Sequence, residues 1–502
     1  MKPNFLIFVA DQMQARTLSL HGHPDVRTPN LDQLGREGVS FARAYCNNPV
    51  CMPSRATLLT GLTPRQHGCL TNGNAVPEQL PTLPGVLAEA GYRTHAVGKL
   101  HHQPIGSVSN GEEMAFSWES RERWESGEIT ALPSGYYGYQ TTECVGGHVD
   151  CYGDYLTWLE QELPGGRQQL LRAGAYEKNL LYEQNWKIDL PESLHYNRWI
   201  ANRSVAFLEN LQPEESFYLW CSFPDPHHPF AACRPYSEMY DPQSLTLPEG
   251  WENEADSIDW LKGLRKVHPG HSQFDETTLR EVLAQTYGMI THMDSCIGEV
   301  LEKLKELGLY DNTVIVFMAD HGEYLGSHRL LTKAEWPWEE LLNVPYIWKA
   351  PQAAKQGVYR DRVVSLLDFV PTILDFAGID QAVMDTRGVY SAPPLGLPGR
   401  SLREAVQAGK ELSARPALIE YDEDWYAPET TRMRTLVAEQ FKLTLFINSE
   451  EGLLFDLVAD PHEHNNLWNE PEYAHVRHTM TEQLLRELIR TDRFDTIRIT
   501  GA

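Results

Sequence analysis

The chain has 502 residues, of which 42% are hydrophobic and 22% are charged, and its formal net charge is −26. This length and composition are those of a globular protein with a large core and room for a smaller second unit. Because a strongly acidic surface repels nucleic acid and anionic lipid, we expect neither of them as a partner.

The amino-terminal sequence does not have the pattern of a secretion signal. The apolar run at residues 5–10 is too short for the core of a signal peptide, and no small-residue cleavage site follows it. No stretch approaches the length of a membrane span. We therefore expect a cytoplasmic protein whose eight cysteines are free thiols, since they form neither a tight disulfide framework nor a C-x-x-C pair.

Apolar runs alternate with helical patterns along most of the chain, which predicts an α/β fold with a large, mostly parallel sheet flanked by helices. The run at 5–10 is continuously apolar, as is typical of a strand that is buried on both faces. The predicted elements, in chain order, are strand 5–10, helix 82–90, strands 93–97 and 217–223, a long amphipathic helix 278–307 that ends at Gly308, and strand 313–319.

A stretch rich in proline and glycine at 388–399 predicts a domain boundary. After it, residues 417–421, 433–438 and 442–447 alternate like antiparallel strands, and 473–489 has the pattern of a closing helix. We predict a large domain at 1–390 and a small α+β subdomain at 400–502 that contains an antiparallel sheet.

An irregular, aromatic-rich segment at about 103–196 interrupts the regular pattern of the large domain. A long insertion of this kind is a lid over a substrate or a surface elaboration, and the sequence favours neither. The aromatic residues of the segment include Trp118, Trp124, Tyr136, Tyr137, Tyr139, Tyr155, Trp158 and Trp186.

The most specific motif begins at Cys51 and reads C-M-P-S-R, followed by L-T-G at 59–61. The pattern C-x-P-S-R fixes four residue types, and among chains of this length it arises by chance on the order of once per thousand chains. A lone cysteine is more often a buried residue at the start of a helix. Arg55 would lie one helical turn after Cys51 and face the same site, and a helix that opens after Pro53 would direct its N-terminus toward an anion.

An aspartate follows each of two predicted strands. Strand 5–10 leads into Asp11-Gln12, and strand 313–319 leads into Asp320-His321. Ligands of open α/β sheets bind beyond the carboxyl ends of the strands, so neighbouring strand ends would bring these four side chains together. Two carboxylates, an amide oxygen and an imidazole suit one divalent cation, with Ca²⁺ first and Mg²⁺ or Mn²⁺ as alternatives. Each aspartate alone would be interpreted as a helix cap or a solvated charge.

The order and spacing of these motifs resemble the formylglycine-dependent (type I) sulfatases, whose fold is alkaline-phosphatase-like. The resemblance covers nearly the whole chain and implies that residues 1–390 form the catalytic domain. Besides the Cys51 motif, the blocks that carry it are Pro3-Asn4 to Asp11, Gly98-Lys99-Leu100-His101, Pro226-His227-His228-Pro229, Ala319 to His328 with Lys333, and Leu454 to Leu467.

The resemblance implies that a formylglycine-generating maturation enzyme oxidises Cys51 to formylglycine, whose hydrate attacks sulfur. It implies metal binding by Asp11, Gln12, Asp320 and His321 together with the modified Cys51, and Asp320 as a candidate acceptor of the proton of the attacking hydroxyl. It also implies that Arg55 contacts the hydrated aldehyde and that Lys99, His227 and Lys333 contact sulfate oxygens. His227 or Lys333 would protonate the leaving alcohol. His101 would take the proton from the second hydroxyl of the hydrate, and this step would expel sulfate.

Two residues near these motifs have no settled role. Asn72 adds a ligand contact or is a turn residue in Asn72-Gly73, and the sequence weighs these equally. His148, in Gly146-Gly147-His148, could touch a substrate.

Gln12 departs from the family pattern, since many members have a second aspartate there, and this leaves the identity of the metal open. The phosphonate and phosphate ester hydrolases of the family share this glutamine but have Tyr and Thr where this chain has Lys99 and His101. These two residues favour a sulfate monoester as substrate. The aromatic-rich segment and the expected cytoplasmic location favour a small molecule, either a sulfated mono- or disaccharide or an aryl or alkyl sulfate. The alternatives are a phosphonate monoester or phosphodiester hydrolase, and an unmodified pseudoenzyme that binds sulfated ligands. The sequence does not indicate an oligomeric state.

Overall fold

The computed structural model describes residues 2–106, 108–109, 112–113, 115–178, 182–254, 258–267, 272–333, 335–353, 357–360, 362–384, 396–423 and 431–492. The strands are β1 Asn4–Ala10, β2 Val39–Phe41, β3 Ala44–Tyr45, β4 Arg93–Gly98, β5 Val108–Ser109, β6 Glu112–Glu113, β7 Thr141–Cys144, β8 Glu177–Lys178, β9 Asn185–Ile188, β10 Phe217–Phe223, β11 Phe230–Cys233, β12 Thr313–Ala319, β13 Tyr346–Lys349, β14 Gly357–Tyr359, β15 Val364–Ser365, β16 Ala417–Glu423, β17 Thr431–Val437, β18 Phe441–Phe446 and β19 Leu453–Asp456. The α-helices are α1 Pro29–Glu37, α2 Cys51–Thr60, α3 Pro64–His67, α4 Leu83–Glu89, α5 Arg121–Glu125, α6 Asp154–Glu162, α7 Gly166–Leu170, α8 Tyr196–Glu209, α9 Asp259–Val267, α10 Glu276–Glu306, α11 Glu339–Leu342, α12 Phe369–Ala377, α13 Arg403–Ala408 and α14 Ala474–Arg490.

A sheet of eight strands forms the centre of the molecule, in the order β14-β2-β13-β12-β1-β10-β4-β7. The run from β12 to β7 is parallel, whereas β13 is antiparallel to both β12 and β2. The prediction of a large, mostly parallel sheet is confirmed. β1 lies inside the parallel run, between β12 and β10, and all of its residues are buried, as its continuous apolar sequence indicates.

The register of the central strands decides where their carboxyl ends lie. Ala10 at the end of β1 is paired with Ala319 of β12 and with Phe223 of β10. Because the strands are parallel and in step, the residues that follow them emerge at the same edge of the sheet. The expectation that strands 5–10 and 313–319 are neighbours is therefore met.

Two helices matter most for the sequence predictions. The predicted long helix is α10; the carboxylate of Asp275 caps it by accepting a hydrogen bond from the N–H of Thr278 at 2.8 Å, and it ends before Gly308. Helix α2 begins at Cys51, not after Pro53 as the sequence suggested. Pro53 lies in its first turn, where the missing N–H of proline leaves no intrahelical bond unmade.

The aromatic-rich segment 103–196 is neither a separate lid nor a mere surface elaboration. It contributes β7, which extends the central sheet beside β4. Most of its aromatic side chains belong to the core. Those that are buried are Trp124, Tyr136, Tyr137, Tyr139, Tyr155 and Trp186, and Trp118 and Trp158 are half-buried.

The carboxyl-terminal region has the predicted α+β form. Strands β16 to β19 form an antiparallel sheet, and α14 packs on it through a small core of its own. The proposed boundary at 388–399 lies mainly outside the described residues, so the domain limits 1–390 and 400–502 stay predictions. The small core consists of Leu418, Leu436, Leu443, Leu454, Met480 and Leu484.

The eight cysteines are buried free thiols, as expected. Among the residues that the structure describes, no helix combines the length and the apolarity needed to cross a bilayer.

His67 links stability to pH. Its ring is fully buried beside α2, where Nε2 lies 3.3 Å from the hydroxyl of Thr57 and Nδ1 accepts the N–H of Cys69 at 3.1 Å. Burial lowers the pKa of His67 to about 3. In the unfolded chain the ring takes up its proton near pH 6.5. The unfolded state therefore binds more protons between about pH 6.5 and pH 3, and folding stability falls as the pH falls through this window.

We expect His67→Gln to remove this part of the acid sensitivity. The loss of unfolding free energy between pH 7.5 and pH 5.5 should be smaller in the variant by about 1.4 kcal/mol. Denaturant unfolding at the two pH values measures it, with His478→Gln on the surface of α14 as the matched control. An identical pH dependence in parent and variant would contradict the assignment of a buried neutral ring.

Candidate active site

Four adjacent parallel strands deliver polar residues to one edge of the sheet. Asp320 follows β12, Asp11 follows β1, Asp225 comes just after β10, and Lys99 follows β4. Gly98, the last residue of β4, has a φ of +98°, and a Cβ there would lie 1.9 Å from the carbonyl oxygen of Ser222. Only glycine therefore allows the end of β4 to lie close enough to β10 to place Lys99 at this edge.

Cys51 lies above the strand ends as the first residue of α2. Its Sγ lies 3.2 Å from His321 Nε2, 3.7 Å from Asp11 Oδ1 and 3.0 Å from the Lys333 ammonium. Burial and Asp11 oppose ionisation of this thiol, but Lys333, Lys99 and His321 outweigh them and lower its pKa. The structure thus brings the cysteine of the motif into contact with three other sequence-predicted site residues.

The predicted metal ligands converge around the same point. One ligand atom each from Asp11, Cys51, Asp320 and His321 lies within 4.8 Å of the others, and His321 Nε2 is 3.8 Å from Asp11 Oδ1 and 3.9 Å from Asp320 Oδ1. The side-chain oxygen of Gln12 is buried and has no hydrogen-bond partner. An oxygen-rich set with an orphaned amide oxygen fits a hard divalent cation.

Gln12 is held in an unusual conformation. Its φ is +62°, a region that non-glycine residues seldom occupy. Its amide nitrogen donates to the carboxylate of Glu323 and lies 2.9 Å from His228 Nδ1. These contacts hold the amide nitrogen on one side and so leave the oxygen on the other. Sequence reasoning gave Glu323 no role, although it lies within the Asp320 block.

Arg55 ties the two aspartates to the strand ends, and its side chain is fully buried. Its Nε donates to Asp320 Oδ2 at 2.7 Å, and its Nη2 lies 3.4 Å from Asp11 Oδ2. Nη1 donates to the carbonyl of Lys99 at 3.0 Å and to the hydroxyl of Ser222 at 2.9 Å. Burial alone would raise the pKa of Asp11, but Lys99 and Arg55 outweigh it and hold that pKa well below its usual range.

Lys99 and His148 line one side of the site. The Lys99 ammonium bonds the Asp11 carboxylate and lies 2.7 Å from His148 Nε2. The ring of His148 stacks on that of His227 with 3.5 Å between centroids. His148, which the sequence offered only as a possible substrate contact after Gly146-Gly147, is thus part of the site.

Lys333 and His227 lie on the other side, where the ammonium of Lys333 lies 3.0 Å from His227 Nε2. Burial and the neighbouring His148 lower the pKa of His227 well below its ordinary value, so its ring is neutral. A neutral imidazole can accept a hydrogen bond from the ammonium, and the two groups can share one proton.

His101 is buried, and its Nδ1 has no hydrogen-bond partner. Burial, Lys99 and Arg55 lower the pKa of its ring well below the ordinary value, which leaves the ring neutral and able to accept a proton. Its backbone φ of +58° is strained for a non-glycine residue.

Glu119 fixes this strained turn. Its buried carboxylate accepts the N–H of His101 at 2.6 Å, of His102 at 2.7 Å and of Gln103 at 3.2 Å, and the hydroxyl of Tyr136 at 2.8 Å. Glu119 belongs to the segment 103–196, so this segment helps to build the site. The sequence carries no signal for it, because the contact joins residues that are about 18 positions apart in irregular chain.

Asn72 packs against the start of α2, where its side-chain oxygen accepts the N–H of Met52 at 3.0 Å. It therefore does more than form a turn, since it satisfies one of the free N–H groups of the helix that begins with Cys51. Its contact with a ligand stays a prediction.

The arrangement is suited to an anion that reacts at the start of α2. The cations Arg55, Lys99 and Lys333 surround two carboxylates, and a divalent cation among the predicted ligands would add two positive charges. A chain whose net charge is −26 thus concentrates positive charge at one buried point.

Comparison with known proteins agrees with this geometry. The family model described as Sulfatase matches residues 3–379, and the model described as N-sulphoglucosamine sulphohydrolase, C-terminal, matches residues 326–490. An arylsulfatase of Clostridium perfringens is 29% identical, with 97% of this chain and 95% of the relative covered. An N-acetylglucosamine-6-O-sulfatase of Bacteroides thetaiotaomicron is 25% identical, with 97% and 86% covered. The crystal structure of a phosphonate monoester hydrolase of Agrobacterium radiobacter shares the fold, with a TM-score of 0.78 at 24% identity over 98% of this chain and 96% of that one.

We expect Arg55→Met to lower the unfolding free energy by about 3–5 kcal/mol, because it removes the cation paired with the buried Asp320 and leaves Asp11 with Lys99 alone. Arg55→Lys keeps the charge but loses the fork that reaches both Asp320 and Ser222, so its loss should be smaller. Denaturant unfolding at neutral pH measures both, with Arg486→Met on the exposed face of α14 as control. An Arg55→Met variant as stable as that control would show that the buried ion pairs do not anchor the strand ends.

Proposed function

Because this chain belongs to the sulfatase family and is a sulfuric ester hydrolase, we propose that it hydrolyses a small sulfate monoester through a formylglycine formed from Cys51. The observation that carries the proposal is the position of Cys51, at the start of a buried helix and within 3.7 Å of Lys333, His321 and Asp11. The partner that this proposal requires is a formylglycine-generating maturation enzyme.

The sulfate group would lie between the start of α2 and the cations around it. Lys99 and Lys333 would supply donors for its oxygens, and His227 would contact them through Nε2 when it carries the proton that it shares with Lys333. The first N–H groups of α2 add the positive end of a helix dipole. Since Lys99 and His227 are almost fully buried and Lys333 is partly buried, their attraction for an anion is stronger than it would be at the surface. His148, which stacks on His227, is placed to border the same space.

Asp11, Gln12, Asp320, His321 and the modified Cys51 would hold one divalent cation, and the oxygen-rich set favours Ca²⁺ over Mg²⁺ or Mn²⁺. When bound, such a cation neutralises charge on the sulfate and lowers the pKa of a coordinated hydroxyl. The protein's own contribution is to orient the ligands.

Asp320 is oriented by three hydrogen bonds. Its Oδ1 accepts the N–H of Gln12 at 3.1 Å and of His321 at 2.9 Å, and its Oδ2 accepts a hydrogen bond from Nε of Arg55. These bonds fix the orientation of the Asp320 carboxylate. Its role as acceptor of the proton of the attacking hydroxyl stays a prediction.

The leaving alcohol needs a proton, and the pair of Lys333 and His227 is placed to give it. The ammonium of Lys333 and Nε2 of His227 are 3.0 Å apart, so either side chain can carry the shared proton to the departing oxygen. The sequence left these two candidates open, and their contact supports the proposal that they act as one unit.

His101 is proposed as the base that completes the cycle. The hydrate of the aldehyde supplies two hydroxyl groups, one that attacks sulfur and one whose deprotonation expels sulfate by C–O cleavage. A serine or a cysteine has no second hydroxyl and could not release sulfate in this way. The neutral His101 ring, held by Glu119 through the backbone, is suited to take that second proton.

For the substrate class we favour a small sulfated carbohydrate, with an aryl or alkyl sulfate as the simpler alternative. The relative from Bacteroides thetaiotaomicron is named as an N-acetylglucosamine-6-O-sulfatase. This supports a sulfated carbohydrate as the substrate of this chain. Lys99 and His101 stand where phosphonate and phosphate ester hydrolases of this superfamily tend to have Tyr and Thr, and this favours sulfate over the phosphonate alternative. A pseudoenzyme that only binds sulfated ligands would need neither a base such as His101 nor a metal ligand such as Asp320 at these positions.

Maturation and substrate preference can be tested together. Protein made alongside a formylglycine-generating enzyme should give a peptide spanning Cys51 whose mass shows conversion of the thiol to an aldehyde. The matured protein should cleave an aryl sulfate faster than a phosphonate monoester or a phosphodiester, and Cys51→Ala should lose about a thousandfold or more of this activity while staying folded. A faster phosphonate rate would support the alternative hydrolase, and full activity with an unmodified thiol would exclude the aldehyde.

His101→Ala should slow the release of sulfate from the covalent intermediate, and it should not slow the formation of that intermediate. We expect intact-protein mass spectra of matured His101→Ala, taken after incubation with an aryl sulfate, to show a covalently bound sulfate that the parent does not retain. The matched control is His102→Ala in the same loop, because His102 packs edge-on against Tyr137 and parallel to Tyr139 and has no proposed chemical role. If His101→Ala turns over slowly and yet carries no adduct, His101 does not act in the release step.

A further inference from the structure

A second cluster of metal-ligating side chains lies outside the strand-end site. His195 precedes α8, Cys233 ends β11, and His292 lies in the middle of α10. All three are at most 1% exposed. One ring nitrogen of each histidine and the sulfur of Cys233 lie within 4.8 Å of one another. Three distant parts of the chain thus bring two imidazoles and a thiol to one buried point.

His292 is oriented as a metal-binding histidine is. Its Nε2 lies 2.9 Å from Oε1 of Glu192, so the ring proton is on that nitrogen and the lone pair is on Nδ1. Nδ1 points at the sulfur of Cys233, 4.0 Å away. A carboxylate that holds the far nitrogen is the usual support of a ligating histidine. Arg198 bonds the same carboxylate at 2.7 Å and keeps it in place.

His195 supplies an independent observation. Its Nδ1 accepts the backbone N–H of Asn197 at 3.2 Å, and its Nε2 is buried without any hydrogen-bond partner. A buried polar atom without a partner is destabilising and calls for an explanation. Because Nδ1 accepts that N–H, Nε2 carries the ring proton, and a metal at the centre of the cluster would be its partner once this proton moves to Nδ1.

We propose that His195, Cys233 and His292 form a binding site for a zinc-type transition metal, separate from the cation site at the strand ends. Zinc lies 2.0–2.1 Å from imidazole nitrogen and about 2.3 Å from thiolate sulfur, so tetrahedral ligands are roughly 3.3–3.6 Å apart. The 4.0 Å between Cys233 and His292 needs a contraction of only a few tenths of an ångström.

The donor types separate this site from the catalytic one. Nitrogen and thiolate donors select Zn²⁺, Co²⁺ or Cu²⁺, whereas the oxygen-rich set around Asp11 and Asp320 suits Ca²⁺ or Mg²⁺. Burial lowers the pKa of both His195 and His292, so both rings are neutral as coordination requires. Glu192 beside His292 supplies negative charge near the metal.

Binding involves no change of oxidation state. The thiol of Cys233 loses its proton to solvent as the sulfur–metal bond forms, so one proton is released for each ion bound. His195 binds through Nε2, so its ring proton moves to Nδ1 and the 3.2 Å bond from Asn197 is given up. Asn197 keeps its side-chain bond to Asp225 at 2.7 Å, which still anchors the start of α8.

Such a metal would brace the loop that carries His227. β11 follows directly after Pro226–Pro229, and Tyr196 and Asn197 at the start of α8 both bond the carboxylate of Asp225. A bond from the metal to Cys233 and another to His195 would hold both sides of this loop against α10. The site therefore has a structural role and does not depend on the proposed chemistry.

The test uses the full chain in a Cys51→Ser background, which removes the thiol of the catalytic site. Titration with Co²⁺ should give tetrahedral d–d bands and a sulfur-to-cobalt charge-transfer band that saturate at one equivalent. After equilibration with Zn²⁺ and dialysis, the background protein should retain about one equivalent more zinc than the same protein with Cys233→Ser. Zn²⁺ should also raise the thermal unfolding temperature of the background protein by more than that of the Cys233→Ser variant.

Cys221→Ser is the matched control, because Cys221 is another buried thiol, on β10, and its sulfur lies 3.1 Å from the hydroxyl of Ser204 rather than beside the two histidines. It should keep the cobalt bands and the extra zinc. The proposal is overturned if the background protein shows no thiolate–cobalt band, or if the band survives Cys233→Ser. Should Cys233→Ser fail to fold, His292→Gln replaces it, with loss of the cobalt bands as the expected result and their persistence as the contrary one.

Discussion

The burial of Arg55 between Asp320 and Asp11 is the constraint on which the rest of the site depends. Three charged groups without access to water carry a large desolvation penalty, and only close pairing and complete hydrogen bonding offset it. The pairing requires that β1 and β12 be neighbours and end in step, and that β4 approach β10 closely enough for the carbonyl of Lys99 to accept a bond. The glycine at 98 and the position of α2 follow from the same requirement.

This buried cluster also resolves an apparent contradiction between the whole chain and its site. The net charge of −26 would repel an anionic substrate, yet Arg55, Lys99 and Lys333 meet at one point, together with the first turn of α2. Surface acids are screened by solvent and salt, whereas buried cations act in a medium of lower dielectric constant. The local field at Cys51 therefore decides which ligand binds, and the surface charge governs solubility.

Two buried carboxylates, Glu119 and Glu323, have no proposed role in the reaction but fix the position of residues that do. Glu119 bonds three successive N–H groups of the turn that presents His101, and Glu323 holds the amide of Gln12. Both residues at these turns have positive φ angles, so the backbone there is strained and needs outside support. The segment 103–196 supplies Glu119 and also the edge strand β7, which makes it part of the scaffold of the site.

The sequence by itself determined the α/β class, the central strands, the long helix α10 and the small antiparallel sheet, because apolar periodicity and glycine stops are local signals. It also determined the candidate chemistry, since the Cys51 motif and the acids after two strands are short patterns with a direct meaning. Only the tertiary structure decided that α2 begins at Cys51, that Lys333 meets His227, and that His148 and Glu119 belong to the site. The same holds for the meeting of His195, Cys233 and His292. These contacts join residues far apart in sequence, and their formation depends on packing and strand register, which no local pattern encodes.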